Sequence, residues 1–130
     1  MTIRLEFDSL PPTDAGGNAR GHWGKTHRAR EGLRAQTWAL LQDQGLLDPG
    51  DGRGNPALME KVVVTYHAYW CREAPDNDNL VTGCKAILDE IVSEGLLVDD
   101  KPRYVTIASP QYTQVAHMNE RRLVVTVEEA

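Results

Sequence analysis

Val62-Val63-Val64-Thr65-Tyr66-His67-Ala68-Tyr69-Trp70, followed after a short break by Asp78-Asn79-Leu80-Val81-Thr82-Gly83-Cys84-Lys85-Ala86-Ile87-Leu88-Asp89-Glu90-Ile91-Val92-Ser93-Glu94, sets a strand and a helix in one short chain. The first run is dense in β-branched and aromatic side chains, which favour extended backbone. In the second, at about 100° per residue from Asp78, Leu80, Cys84, Ile87, Leu88 and Ile91 gather on one apolar stripe. Gly95 follows as a good helix terminator. Upstream, Ile3, Leu5 and Phe7 alternate with polar neighbours and predict a half-buried strand over residues 2 to 7. Pro11, Pro12, Gly16 and Gly17 make a loop. A helix from Thr26, a plausible N-cap, to about Gly45 carries Leu33, Leu40 and Leu41 on one face, with Trp38 packed at the edge of the core. Residues 48 to 54 form a second loop. Residues 104 to 108 and 123 to 127 close the chain as strands, separated by a polar segment over 109 to 120. The order β-α-β-α-β-β predicts a single α+β domain over residues 1 to 130, a mixed β-sheet with two main helices packed on it.

At 130 residues and 41% hydrophobic, the chain can bury a core without metal or disulfide staples. It has no apolar run near the roughly 18 residues of a membrane span, and residues 1 to 8 do not read as a signal peptide. A cytoplasmic protein is expected, with no membrane partner. Cys71 and Cys84 have neither a disulfide framework nor zinc-ligand spacing and are read as inert. Asp76-Asn77-Asp78 opens like a calcium loop, but Val81 stands where a glycine is needed and Ile87 where the last glutamate is needed. His22, His27, His67 and His117 match no zinc motif. No phosphate-binding or dinucleotide glycine pattern is present, so no nucleotide cofactor is expected.

Charge is segregated. Between Arg20 and Arg34 five basic residues face one acid, a net of +4; between Glu73 and Asp100 eight acids face Lys85 alone, a net of −7. Carboxylates repel phosphate unless cations sit on them, so the pairing suits metal ions mediating between acids and an anionic substrate. Two separate solvated faces are the plain alternative.

Pro75-Asp76-Asn77-Asp78-Asn79-Leu80 stands where a strand's exit loop hands over to a helix. In extended backbone, residues two apart point the same way, so Asp76 and Asp78 can converge on one hard cation. Alternatively, Asp78 is an N-cap and Asp76 complements the helix dipole. On the predicted helix Asp78, Thr82, Lys85 and Asp89 form one polar line, and Lys85 can lean back towards the carboxylates or a phosphate beside them. Asp99-Asp100 could add a third ligand, although acidic pairs are common in turns. Three acids and a lysine meet the needs of metal-assisted phosphoryl chemistry: oxygen ligands for Mg²⁺, an activated water, and a cation for developing charge.

The Asp76-Asn77-Asp78-Asn79-Leu80 run, Lys85, Leu88-Asp89, Gly95-Leu96-Leu97 and Asp99-Asp100 resemble the RusA family of Holliday-junction resolvases, especially its phage-encoded relatives. Leu10-Pro11-Pro12, Asn18, Arg20, Gly24-Lys25-Thr26-His27 and the closing Arg122-Leu123-Val124-Val125-Thr126 extend the likeness over nearly the whole chain. The resemblance implies a Mg²⁺-dependent homodimeric endonuclease, with Mn²⁺ able to substitute, that nicks a four-way DNA junction symmetrically. Carried over by position, Asp76, Asp78 and Asp100 hold metal, Asp99 is the less favoured member of its pair, and Lys85 is the catalytic lysine. The chain departs from the best-known form in two ways. That form places its lysine one helical turn after the second aspartate, where Thr82 stands here, and it is basic, whereas this chain carries a net −5.

The expectation is hydrolysis of DNA phosphodiesters, with Asp76, Asp78, Asp100 and Lys85 at the reacting centre. Arg20, Lys25, His27 and Arg28 would grip backbone phosphates without reading sequence. The rivals are a non-catalytic branched-DNA-binding dimer and a nuclease acting on flaps or forks. Trp23 in the basic loop either stacks on an unpaired base or packs down.

Overall fold

The computed structural model describes residues 1–12, 23–73 and 76–130. Five strands form one mixed sheet: β1 (Thr2–Phe7), β2 (Val62–Trp70), β3 (Val105–Ile107), β4 (Gln111–Gln114) and β5 (Arg122–Glu129). Three helices accompany it: α1 (Trp23–Asp43), α2 (Asn77–Gly83) and α3 (Lys85–Ser93). The sheet order is β1-β5-β2-β3, with β4 also pairing β2. The α+β expectation holds, with three differences. α1 begins at Trp23, so Thr26 lies inside the helix and is not its N-cap. The polar segment after residue 108 contains β4, and the second predicted helix is two helices meeting at Cys84.

Alternation explains the register. Ile3, Leu5 and Phe7 of β1 face Val127, Val125 and Leu123 of β5, which in turn face Val64, Tyr66 and Ala68 of β2. All nine side chains are buried. Shifting any strand by one residue would turn this set outward. The opposite face carries Arg4, Glu6, Arg122, His67 and Tyr69. There Arg122 lies 3.7 Å over the Tyr69 ring and His67 stacks on it at 4.2 Å. Burial and the nearby Arg122 charge hold the His67 imidazole below its usual value.

On the core face, Leu33, Thr37 and Leu41 of α1 and Ala86, Ile87, Leu88 and Ile91 of α3 are buried. The buried Thr37 hydroxyl is satisfied by donating to the Leu33 carbonyl at 2.8 Å. Trp38, about 100° round the helix from Thr37, is 41% exposed. The α2–α3 stripe is buried as its period predicts, including Leu80, Cys84, Ile87, Leu88 and Ile91.

Both long connections end in the same cap. Gly45, at φ 70, has its N–H on the Gln42 carbonyl at 2.9 Å while Leu46 bonds Leu41 at 3.0 Å; Gly95, at φ 75, repeats this on Val92 and, through Leu96, on Ile91. Asn55 joins the two ends by donating its amide to Leu46 O at 2.8 Å and Glu94 O at 3.0 Å. β1 and β2 both run antiparallel to β5, so they are parallel to each other, and α1 and α3 each return from one of them. The helices therefore share a direction, and α1 and α2 begin at the same edge of the sheet, beyond the carboxyl ends of β1 and β2. Crevices at that edge are where such sheets hold ligands. No described helix is long and apolar enough to cross a membrane.

Candidate functional site

Asp76 is the N-cap of α2, with φ −55 and ψ 140, and its Oδ1 accepts the Asp78 N–H at 3.3 Å. Asp76 and Asp78 are thus not two residues of a strand, and Asp78 is not the cap. The helix starts at Asn77 because aspartate is a strong cap, and Asp78 in the first turn suits the positive end of the helix. Pro75 and Arg20 lie outside the described residues. Thr82 donates its hydroxyl to the Asp78 carbonyl at 2.7 Å. At the far end of α2, a side chain on Gly83 would meet Pro11 Cβ at 3.2 Å, so this glycine lets the Leu10-Pro11-Pro12 segment pack against the site's own helix.

Cys84 divides α2 from α3. Its N–H is shared between the Leu80 and Val81 carbonyls, and its own carbonyl takes the N–H of Ile87. Burial pushes the Cys84 thiol well up, so it keeps its proton at neutral pH. Cys71 lies with its thiol 2.9 Å from the Met118 sulfur.

Lys85 is therefore the first residue of α3 rather than a mid-helix residue. Its Nζ lies 2.9 Å from Asp100 Oδ2 and 3.5 Å from Asp89 Oδ1. The sequence expected Lys85 to lean back towards Asp76 and Asp78, but among the described residues no ion pair joins it to either, and its partners are Asp100 and Asp89. The hydrogen bond from Lys85 holds the Asp100 carboxyl below the usual carboxylate range, and the same bond raises the Lys85 ammonium, assisted by Asp89. Asp99 turns the backbone by accepting the Asp100 N–H at 2.7 Å and faces Lys101 at 3.7 Å. Asp89 was not among the predicted site residues, although the sequence sets it on one polar line with Lys85. Asp89 could have been found from its i, i+4 spacing to Lys85.

A carboxylate-only donor set is what a hard divalent ion takes. The described side chains are not assembled around one, however: no three His, Cys, Asp or Glu residues among them form a group able to hold an ion. Asp76 caps through Oδ1 alone and Asp100 meets Lys85 through Oδ2 alone, so each carboxylate keeps a second oxygen.

Lys25, His27 and Arg28 are exposed on the first two turns of α1, at the edge where α2 also begins. Arg34, further along, is not free for phosphate: it bonds Glu90 at 2.8 Å. That bond raises the Arg34 guanidinium, while burial and hydrogen bonding to Glu90 raise the Glu94 carboxyl. Glu31, Arg34, Ala35, Trp38 and Glu90 line a surface depression of about 380 Å³ between α1 and α3. No protein-family model matches the chain, and no curated protein matches it.

Proposed function

We propose that this protein is a Mg²⁺-dependent endonuclease of branched DNA, related to the RusA resolvases, that cuts four-way junctions by paired nicks as a homodimer in the cytoplasm. The observation that carries the reading is the 2.9 Å contact between Lys85 and Asp100, fifteen residues apart, which brings a lysine and the later acidic pair of the motif together. In this reading Asp76, Asp78 and Asp100 hold the ion. When bound, the ion supplies a Lewis acid and a water of lowered pKa. Lys85 exchanges its carboxylate partner for the scissile phosphate and offsets charge there. Lys25, His27 and Arg28 hold flanking phosphates, and a two-fold dimer gives each cut strand its own site.

Cleavage of a synthetic four-way junction beside duplex, fork and flap DNAs, with and without Mg²⁺ or Mn²⁺, tests this. Symmetric nicks confined to the junction, needing the ion and lost in Asp78→Asn, are expected. Full ion-dependent cleavage by Asp78→Asn would refute the site, and cutting of forks or flaps would change the substrate. The second reading is a non-catalytic branched-DNA-binding dimer in which the acids are structural, as Asp76 is in capping α2. It predicts tight junction binding without cleavage under any divalent ion.

A further inference from the structure

β1 ends the sheet on its side, with β5 as its neighbour, so among the described residues its outer edge has no strand beside it. The Met1 carbonyl takes the Glu129 N–H at 3.1 Å, and in an antiparallel ladder alternate residues bond the same neighbour. The odd-numbered residues of β1 therefore turn their backbone groups to β5, while Thr2, Arg4 and Glu6 turn theirs outward. Gln44 shows this directly, since its exposed side chain donates to the Arg4 carbonyl at 2.8 Å. Natural edge strands are commonly guarded by proline, lysine or a bulge. Thr2-Ile3-Arg4-Leu5-Glu6-Phe7 has none of these and pairs with β5 in unbroken register.

The charges of this edge complement themselves. Arg4 and Glu6 stand on the helix-free face, 59% and 48% exposed. Against a second copy running antiparallel, outward backbone groups meet, and apolar side chains stay on the core face, only where even-numbered residues oppose even-numbered ones. Centred on Arg4, such a pairing sets arginine against arginine; centred on Glu6, glutamate against glutamate. Centred on Leu5, it sets each Arg4 against Glu6 of the other copy.

We propose that the β1 edge is a homodimer interface, in which two copies pair antiparallel about Leu5 and join their sheets into one. The inference rests on the homodimer of the reading above and needs none of its chemistry. Gln44 gives up the Arg4 carbonyl to the Glu6 N–H of the second copy, one hydrogen bond exchanged for another. The two-fold axis stands perpendicular to the sheet, so the helices of both copies cover the same face.

The test is sedimentation velocity of the full chain over a concentration series, with melting temperatures to check folding. It compares wild type, Arg4→Glu, Glu6→Arg and an equimolar mixture of the two variants. Wild type is expected to dimerise. Each reversal sets like charges opposite at both symmetric positions and should weaken the dimer at least about tenfold. The mixture should dimerise again, because one variant then offers two acids where the other offers two bases. A contact within one chain, such as the 3.3 Å Arg4–Glu6 pair, is not rescued by mixing. A wild-type dimer that tolerates both reversals, or a mixture that fails to associate, overturns the inference and leaves the dimer of the reading above standing. A monomeric wild type removes the inference and that dimer together.

Discussion

Replacing Asn55 should loosen the two principal helices at once. Its amide donates to Leu46 O at 2.8 Å and Glu94 O at 3.0 Å, beyond the last turns of α1 and α3, while its Oδ1 accepts the Ala57 N–H at 2.9 Å. Asn55→Ala removes all three bonds. At about 1 kcal/mol net each, less what water restores at a half-buried site, the loss is about 2 kcal/mol. With an unfolding entropy of about 2.1 cal/mol/K per residue, that lowers the melting temperature of a chain this size by about 7 °C. Asn55→Asp is the sharper probe. It keeps the acceptor but aims a carboxylate at two carbonyls, at the negative ends of two helix dipoles, adding about 1 kcal/mol to the loss. The introduced carboxyl would have its pKa raised in the folded state, so its penalty is present at neutral pH and disappears as pH falls through that raised value. Thermal melts of the three proteins at pH 7 and pH 4 check the order. An aspartate variant as stable as wild type at pH 7, or more stable than the alanine variant there, would refute the clamp.

Gly95→Ala meets two obstacles, φ of 75 and a Cβ 3.3 Å from Asn55, whereas Gly45→Ala has open space and only the backbone conformation against it. Urea midpoints should show a loss of about 1 kcal/mol at Gly45 and more at Gly95, and equal losses would contradict this. Arg34→Ala strands the Glu90 carboxylate, 11% exposed, beside Glu94 and should cost about 2 kcal/mol at pH 7. Because the Glu94 carboxyl is raised in the folded state, its charge destabilises above that value and the cost fades as pH falls through it. The gap between Arg34→Ala and wild type should therefore narrow in urea melts at pH 5, and a constant gap would refute the link. Lys85→Met should cost at most about 1 kcal/mol, since both partners are substantially exposed. Asp100 is lowered and Lys85 raised, so the pair stabilises from the ordinary carboxylate range up to the ordinary lysine range. It is lost as pH falls through the folded Asp100 value or rises through the folded Lys85 value, and pH-dependent melts of both proteins read this window.

The elements that the sequence predicts well are those in which one periodicity meets no competitor. β1 alternates strictly, β2 is a continuous β-branched and aromatic run, and both appear with the expected bounds. β4 was missed because Gln111-Tyr112-Thr113-Gln114 has no apolar alternation of its own; it is a strand because β2 extends past β3 and offers free ladder positions from His67 to Trp70.

The site was harder to read because its geometry turns on one residue of helix continuity. An unbroken helix over residues 78 to 94 sets Lys85 in line above Asp78, directed back at the first acidic pair. In the structure a new helix starts at Lys85, and the ammonium keeps its i, i+4 neighbour Asp89 and meets Asp100 rather than the first acidic pair. Nothing in the composition of Gly83-Cys84 demands that interruption. At the junction Cys84 is wholly buried, and the glycine beside it lies 3.2 Å, measured from an ideal Cβ, from Pro11 of the N-terminal segment. A larger residue at position 83 would press Pro11 away. Lys85 thus begins its helix two residues from a contact with a segment more than seventy residues earlier, and in the proposed reading that same segment leads into the basic residues that would hold DNA.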